Sequence, residues 1–266
     1  MTQMIRFMSG LPRSGSTVLC SLLNQHPQVH ATATSPLLDF LCMSQDNLNR
    51  LDLQYTYDRK QIEPNIYRAL MDNFYRHVDR PVVIDKHRAW VKNLGMAGSV
   101  SGVEPKCLCT VRDVAEVMVS YLRLIEKSEG NNFIDQELTR QGLPLTRDER
   151  LKLLWENYVL DGVRSVGVGL FNYRPNILLV DYARLIAESS TVMSEIHEFL
   201  GLENHDYDFD RIEDTCVEQK DADGWGLPGL HDIQPELRRY SSSAEDIIGS
   251  EAASFYRRFN VCQGES

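Results

Sequence analysis

With 266 residues, of which 42% are hydrophobic and 25% charged, the chain has the composition of a globular protein with one large core. Its formal charge of −10 argues against a broad nucleic-acid-binding surface, because such surfaces are basic. A small phosphorylated ligand is compatible with this charge, since it needs only a few local cations. The sequence contains no apolar run near the ~20 residues of a membrane helix and no signal-peptide cleavage pattern, so we expect a cytoplasmic protein.

Short strand-like runs alternate with helical patterns along the chain. The runs rich in β-branched and aliphatic residues cover residues 5–9, 81–84, 107–111 and 176–180. The amphipathic helical patterns cover residues 16–25, 114–126, 147–160 and 191–200. This alternation predicts an α/β fold with a central parallel β-sheet flanked by helices. We expect a single domain over residues 1–266.

Two segments lack such a pattern. Residues 130–146 are rich in Gly, Asn, Pro and charge, which favours a loop or mobile lid. After Gly201 no periodicity continues, so we expect an irregular C-terminal segment over about residues 203–266, with a helix start only near 240–249.

The cysteines are scattered and lie mostly within apolar stretches. They are Cys20, Cys42, Cys107, Cys109, Cys216 and Cys262. The spacing of Cys107 and Cys109 is not the C-x-x-C spacing of zinc and redox sites. We therefore expect buried thiols in a reducing compartment, with neither a metal nor a disulfide.

The first predicted strand runs into the loop GLPRSGST, residues 10–17, and then into a helix. Backbone N–H groups of such a turn and the positive end of the helix dipole favour an anion. Ser14, Ser16 and Thr17 add hydroxyl donors, and Arg13 offers a planar fork for phosphate oxygens. An ATP-hydrolysing loop would carry Lys at position 16. The sequence thus favours a different phosphate site, with a purely structural turn as the alternative.

Other polar side chains also stand at predicted strand ends. Asp85 and Asp181 end two strands, as a magnesium-binding Asp does in ATPases, but a solvent-facing Asp is the favoured interpretation. Arg112 ends a third strand, and Ser120 lies about two helical turns later on a similar face. These two side chains could hold a second phosphate. The alternative is a surface ion pair of Arg112 with Asp113 or Glu116.

In this order, the motifs resemble those of sulfotransferases that use 3′-phosphoadenosine 5′-phosphosulfate (PAPS). GLPRSGST followed by NQHP (24–27) resembles the loop that binds the 5′-phosphosulfate. VRDVAEVMVSY (111–121) resembles the 3′-phosphate segment, and NILLVDYARL contains the adenine-side Tyr182. The resemblance spans about residues 5–202. It is closer to bacterial and tyrosylprotein-type members than to the phenol-specific cytosolic enzymes.

The resemblance implies a P-loop-like sulfotransferase fold and the transfer of a sulfonate from PAPS to a hydroxyl or amine. The acceptor would be a small molecule or a peptide, the nucleotide product 3′-phosphoadenosine 5′-phosphate (PAP), and no metal would be needed. The implied donor-binding residues are Arg13, Ser14, Gly15, Ser16, Thr17, Arg112, Ser120 and Tyr182. The alternatives are a divergent P-loop nucleotide kinase or ATPase and a non-catalytic nucleotide-binding module.

Candidates for the chemical step follow the strand at 81–84. By resemblance, Lys86 steadies the leaving oxygen together with Arg13. His87 is the candidate base, because imidazole titrates near neutral pH. Tyrosylprotein-type members use a Glu where this chain reads TATSP, so Asp39 is a second candidate. Farther along, Trp225 and Lys220 are candidates for contacts to the adenine or acceptor and to the 3′-phosphate.

Overall fold

A computed structural model describes residues 3–50, 58–101, 104–215, 226–227, 229–230 and 243–261. One sheet has the strand order β2-β3-β1-β4-β5. Its strands are β1 (Met4–Gly10), β2 (Val29–Ala31), β3 (Val82–Lys86), β4 (Cys107–Val111) and β5 (Ile177–Asp181). Every pairing in this sheet is parallel, which confirms the predicted fold class. The short edge strand β2 was not predicted, because three residues are too few to show a pattern.

Helices cover both faces of the sheet. They are α1 (Ser16–Gln25), α2 (Leu37–Leu48), α3 (Arg59–Phe74), α4 (Leu94–Ser101), α5 (Val114–Lys127), α6 (Phe133–Arg140), α7 (Arg147–Leu154), α8 (Leu160–Tyr173), α9 (Tyr182–Ala187), α10 (Ser189–Leu200), α11 (Ala244–Ile248) and α12 (Ser250–Arg257). A π-helical turn, Trp155–Val159, joins α7 to α8, so the helical run extends well past its predicted end at 160. In the described part of the chain, none of the helices combines the length and apolar character needed to cross a bilayer.

The central strand β1 separates two apolar layers. Because successive side chains of a strand point to opposite faces, Phe7 and Met8 enter different layers. Phe7 packs on the layer that includes α2 and α5, with its ring centroid 4.3 Å from that of Trp90. Met8 packs with buried residues of α1 and α10. This central position puts the loop after β1 in the middle of the sheet's carboxyl edge.

The expectation of a loop or lid at 130–146 is wrong over α6. Ile134 and Leu138, one helical turn apart, are fully buried. Buried Asp135 accepts a bidentate pair from Arg150, with Nε–Oδ1 2.7 Å and NH2–Oδ2 2.9 Å. Burial alone would raise the pKa of Asp135, but the Arg150 guanidinium and donors at Gly130 and Asn132 hold it below its ordinary value. This contact anchors the segment to α7.

The C-terminal segment is more ordered than expected. Residues 203–215 are irregular as predicted. Helix α11 begins after a capping box at Ser243, which agrees with the helix start expected near 240–249, and the unpredicted α12 follows it. Arg257 of α12 donates from Nε to Asp113 at 2.9 Å, and Asn260 accepts from the Val114 N–H at 2.8 Å. The amphipathic pattern of α12 was missed. Its role is to brace the start of α5.

The described cysteines are mainly core residues, and none of these four forms a disulfide. Cys20, Cys107 and Cys109 are buried as expected, and Cys42 is half-buried. Burial raises the pKa of Cys109 to about 12 and that of Cys107 well above its ordinary value. Cys216 and Cys262 lie outside the described residues.

Candidate functional site

Loops from four neighbouring strands meet at the carboxyl edge of the sheet. Because β1, β3, β4 and β5 are parallel, the segments after Gly10, Lys86, Val111 and Asp181 all emerge on the same side. Crevices at this edge are the usual ligand sites of open α/β sheets. Every donor-site residue named from the sequence lies on the segments that follow β1, β4 and β5.

Glycines let the loop after β1 approach its neighbours closely. Gly10 has φ +139°, and a Cβ there would lie 2.2 Å from the Thr110 carbonyl oxygen on β4. Gly15 has φ +84°, and a Cβ there would lie 2.4 Å from the Tyr182 ring. Arg13 is left-handed at φ 57° without being glycine, a conformation that is uncommon and costs free energy. The loop is therefore shaped by contacts that only small residues allow.

The Ser14 hydroxyl faces inward. It donates to the Leu11 carbonyl at 2.5 Å and shares a hydrogen bond with the Thr110 hydroxyl at 2.7 Å. The side chain is 1% exposed. The hydroxyl thus ties the loop to β4, and any part of Ser14 in binding a ligand falls to its backbone N–H.

Ser16 and Thr17 are the first residues of α1. Gly15 is the N-cap, and within the described residues no side chain caps this helix. The first N–H groups of a helix lack intrahelical acceptors, so an uncapped N-terminus favours an anionic partner. Both hydroxyl-bearing residues are partly exposed beside this end.

The second predicted cluster contacts the loop directly. Arg13 donates from Nε to the Ser120 hydroxyl at 3.1 Å and also to the Leu230 carbonyl. Arg112 donates from NH1 to the Arg13 carbonyl at 3.0 Å, and its guanidinium lies 4.5 Å from the centroid of the Tyr182 ring. Residues from three distant parts of the sequence therefore form one cationic, hydroxyl-bearing cluster.

Arg112 also forms the ion pair with Glu116 that the sequence suggested as an alternative to phosphate binding. Arg112 Nε donates to Glu116 at 3.0 Å, but the Arg112 side chain is only 9% exposed. Asp113 instead pairs with Arg257 and accepts from the Glu116 N–H at 3.0 Å as the N-cap of α5. Arg112 is thus oriented by Glu116 against the loop, and the pair is not a solvated surface contact.

Lys86 and His87 leave β3 directly beside β1. Lys86 pairs in register with Met8 and is 9% exposed. Its N–H donates to the Thr32 hydroxyl at 3.0 Å, and the His87 N–H donates to the Met8 carbonyl at 3.0 Å. The strand ladder thus positions the backbone of both residues.

Asp85 does not face solvent as expected; it is fully buried. Its carboxylate accepts from Trp90 Nε1 at 2.5 Å and from the Tyr75 hydroxyl. Burial raises the pKa of Asp85, and burial and the nearby Asp85 carboxylate raise that of Tyr75. The alternation of β3 points Asp85 into the layer under α2 and α3. Asp181, by contrast, is partly exposed and caps α9 by accepting from the Arg184 N–H at 3.0 Å.

The two candidates for the base, His87 and Asp39, contact each other. His87 Nε2 is 3.3 Å from Asp39 Oδ1, and the side chains are 26% and 61% exposed. His87 Nδ1 accepts from the Ala89 N–H at 3.2 Å. The sequence named both residues but gave no sign that they meet. Trp225 and Lys220 lie outside the described residues.

Comparison with known proteins identifies the family. The model of the sulfotransferase domain family matches residues 6–223. Mouse sulfotransferase SULT7A1, solved with PAP, is similar in structure at TM-score 0.53 and 14% identity, over 96% of this chain and 82% of that one. Sulfotransferase STF9 from Mycobacterium avium is similar at TM-score 0.51 and 13% identity, over 96% and 75%. No curated protein sequence matches the chain. Because the family match includes the segments after β1, β3, β4 and β5, the chain belongs to the sulfotransferase domain family, whose reaction is sulfonate transfer.

Proposed function

We propose that this protein transfers a sulfonate group from PAPS to a hydroxyl or amine of an acceptor molecule. The observation that carries the proposal is the contact of Arg13 with Ser120 and Arg112. This contact joins the anion-binding loop after β1 to Arg112, which precedes α5, and to Ser120 within α5. A nucleotide with phosphate groups at two separate positions requires two such anion sites within one crevice.

The chemistry of these side chains fits an anionic adenine nucleotide. The uncapped end of α1, with Ser16, Thr17 and Arg13, would hold the 5′-phosphosulfate. Arg112 and Ser120 would hold the 3′-phosphate. The Tyr182 ring, which packs over Gly15 and under the Arg112 guanidinium, would lie beside the adenine.

The donor supplies an activated sulfonate, and the chain supplies orientation and charge. Negative charge grows on the oxygen that leaves sulfur during the transfer. Cations fixed near that oxygen stabilise the transition state more than the ground state. We assign this role to Lys86 and Arg13, since Lys86 ends the strand adjacent to the loop that carries Arg13.

Ligand-dependent melting tests the donor. We expect PAP to raise the melting temperature, with about 2.7 kcal/mol of added stability at a hundred times its Kd. ADP, which lacks the 3′-phosphate, should stabilise the protein less. Stabilisation by Mg²⁺-ATP without an effect of PAP would instead favour the nucleotide kinase or ATPase.

Transfer of a radiolabelled sulfonate from PAPS to a panel of alcohols, phenols and amines tests the reaction. We expect labelled product from at least one acceptor class and stoichiometric release of PAP. Binding of PAP with no product from any member of the panel would favour a non-catalytic nucleotide-binding module.

A further inference from the structure

The His87 imidazole is engaged at both ring nitrogens. Nδ1 accepts the Ala89 N–H at 3.2 Å, which requires a lone pair on Nδ1. In the neutral ring the proton is therefore on Nε2, which faces Asp39 Oδ1 at 3.3 Å. In this arrangement, the Nε2–H group faces the Asp39 carboxylate, and His87 offers no ring lone pair to an acceptor hydroxyl.

The Ala89 N–H cannot easily turn away from His87. The turn is closed by a hydrogen bond from the Trp90 N–H to the His87 carbonyl at 3.0 Å. The Trp90 indole is held by buried Asp85 at 2.5 Å. A histidine base needs a ring lone pair that is free to take the acceptor proton, and the fixed Ala89 N–H occupies the lone pair on Nδ1.

Asp39 has the accepting capacity that His87 lacks. It lies in the first turn of α2, and its side chain is 61% exposed. An ionised carboxylate has about four lone-pair positions, and the contact with His87 Nε2 occupies at most one of them. Asp85, close by in sequence to His87, is fully buried and already accepts from Tyr75 and Trp90.

We infer that Asp39 is the catalytic base of the proposed sulfonate transfer and that His87 is the residue that positions it. This inference deepens the proposed function and rests on it. A lone pair of the acceptor oxygen or nitrogen forms the new bond to sulfur. The bond from sulfur to the donor's bridging oxygen breaks, and its electron pair stays on PAP. The acceptor proton passes to an oxygen of Asp39 and later to water.

Substitutions at the two residues separate this assignment from a histidine base. Asp39→Asn should lower kcat by roughly 10²- to 10⁴-fold, as for the loss of a general base, with the Kd of PAP unchanged. His87→Gln keeps an N–H group that can donate toward Asp39. It should therefore retain several-fold more activity than His87→Ala, which has no such group. The matched control is Asp46→Asn on the exposed face of the same helix, which should behave as wild type.

Chemical rescue and NMR test the roles of Asp39 and His87 by effects that a purely structural role would not produce. Formate should restore part of kcat to Asp39→Ala, and imidazole should not restore His87→Ala to a comparable extent. Long-range ¹H–¹⁵N spectra of the wild-type protein should show the Nε2–H tautomer for the neutral His87 ring.

Two results would overturn the assignment. One is kcat within threefold of wild type for Asp39→Asn together with equal, large losses for both His87 variants. The other is an Nδ1–H tautomer of the neutral His87 ring in the NMR spectra. A wild-type protein that binds PAP but transfers no sulfonate would overturn the proposed function itself, and with it any catalytic role. The two failures are thus distinguishable.

Discussion

At the carboxyl edge of the sheet, the proposed donor side and the side around Asp39 and His87 differ in how tightly they are enclosed. On the donor side, Ser14 is 1% exposed, and Gly15 leaves no space between the loop and Tyr182. On the other side, Asp39 is 61% exposed, and Phe40 and Met43 on the same helix are 45% and 58% exposed. A tightly held loop suits one invariant ligand whose phosphates must be oriented. An open helix face suits an acceptor whose size is set by less rigid contacts.

Gly15→Ala should have the largest effect, because it disrupts the close packing of the loop against Tyr182. The added Cβ would meet the Tyr182 ring, and displacement of the loop or the ring by about 1 Å should lower kcat/KM for sulfonate transfer by roughly 10²-fold. Gly142→Ala is the matched control: Gly142 also has a left-handed φ, of +70°, but nothing lies within 4 Å of its Cβ position. Steady-state kinetics of sulfonate transfer by both variants measure the difference.

The contact with Tyr182 can be isolated further. In a Tyr182→Ala background, Gly15→Ala should cost only the backbone strain that Gly142→Ala shows, about 1–2 kcal/mol of unfolding free energy. An equally large loss of stability in both backgrounds would mean that strain at Gly15 alone, and not the ring, shapes the loop.

Arg112→Gln should come next. Loss of a charge-assisted contact to the 3′-phosphate costs about 1.5–3 kcal/mol, or roughly 10- to 150-fold in the Kd of PAP. The Kd of a nucleotide without the 3′-phosphate should change much less. Arg184→Gln is the control: Arg184 is a partly exposed cation of α9 that pairs with Glu195. Equal weakening of both nucleotides would contradict the assignment of Arg112 to the 3′-phosphate.

Asp85→Asn should affect stability in a pH-dependent way. The folded-state pKa of Asp85 lies above its ordinary value of 3.8 because of burial, so the folded state holds this proton more tightly than the unfolded state. The contribution of Asp85 is therefore fully present below pH 3.8 and falls as pH rises through the folded pKa. Urea unfolding at several pH values should show wild-type stability falling relative to Asp85→Asn in that window. A constant difference across the window would contradict the raised pKa.

Ser14→Ala should have the smallest effect and sharpens the description of the loop. Removing a hydroxyl that bonds Leu11 and Thr110 should cost about 1 kcal/mol of unfolding free energy, with only a few-fold loss of PAP affinity. A double-mutant cycle with Thr110→Val measures the coupling of the two hydroxyls. A loss of affinity much larger than the loss of stability would instead mean that the hydroxyl contacts the donor.

Several features of the fold were predictable because their signals are local. The loop 10–17 and the helix after it depend on the spacing of glycines, hydroxyls and apolar residues over a short window. The same is true of the strand–helix alternation. By contrast, α6 was predicted to be a loop because its polar residues suggested exposure to solvent. Asp135 can be buried because Arg150, from the next helix, pairs with it, and this contact is not visible in the local sequence. Asp85 was expected in solvent for the same reason, since Tyr75 and Trp90 accompany it only in the folded chain.

The sequence by itself determined the phosphate-type loop, the second cluster at Arg112 and Ser120, and the class of sheet that brings them to one edge. Only the tertiary structure decided how the proposed proton-accepting side is built. Parallel pairing of β2 with β3 places Ala31 opposite Ile84, and the chain that follows each strand then brings Asp39 to His87. The tautomer of His87 depends on a backbone N–H in the turn after β3. Such contacts depend on register and on the path of a turn, which residue patterns do not encode.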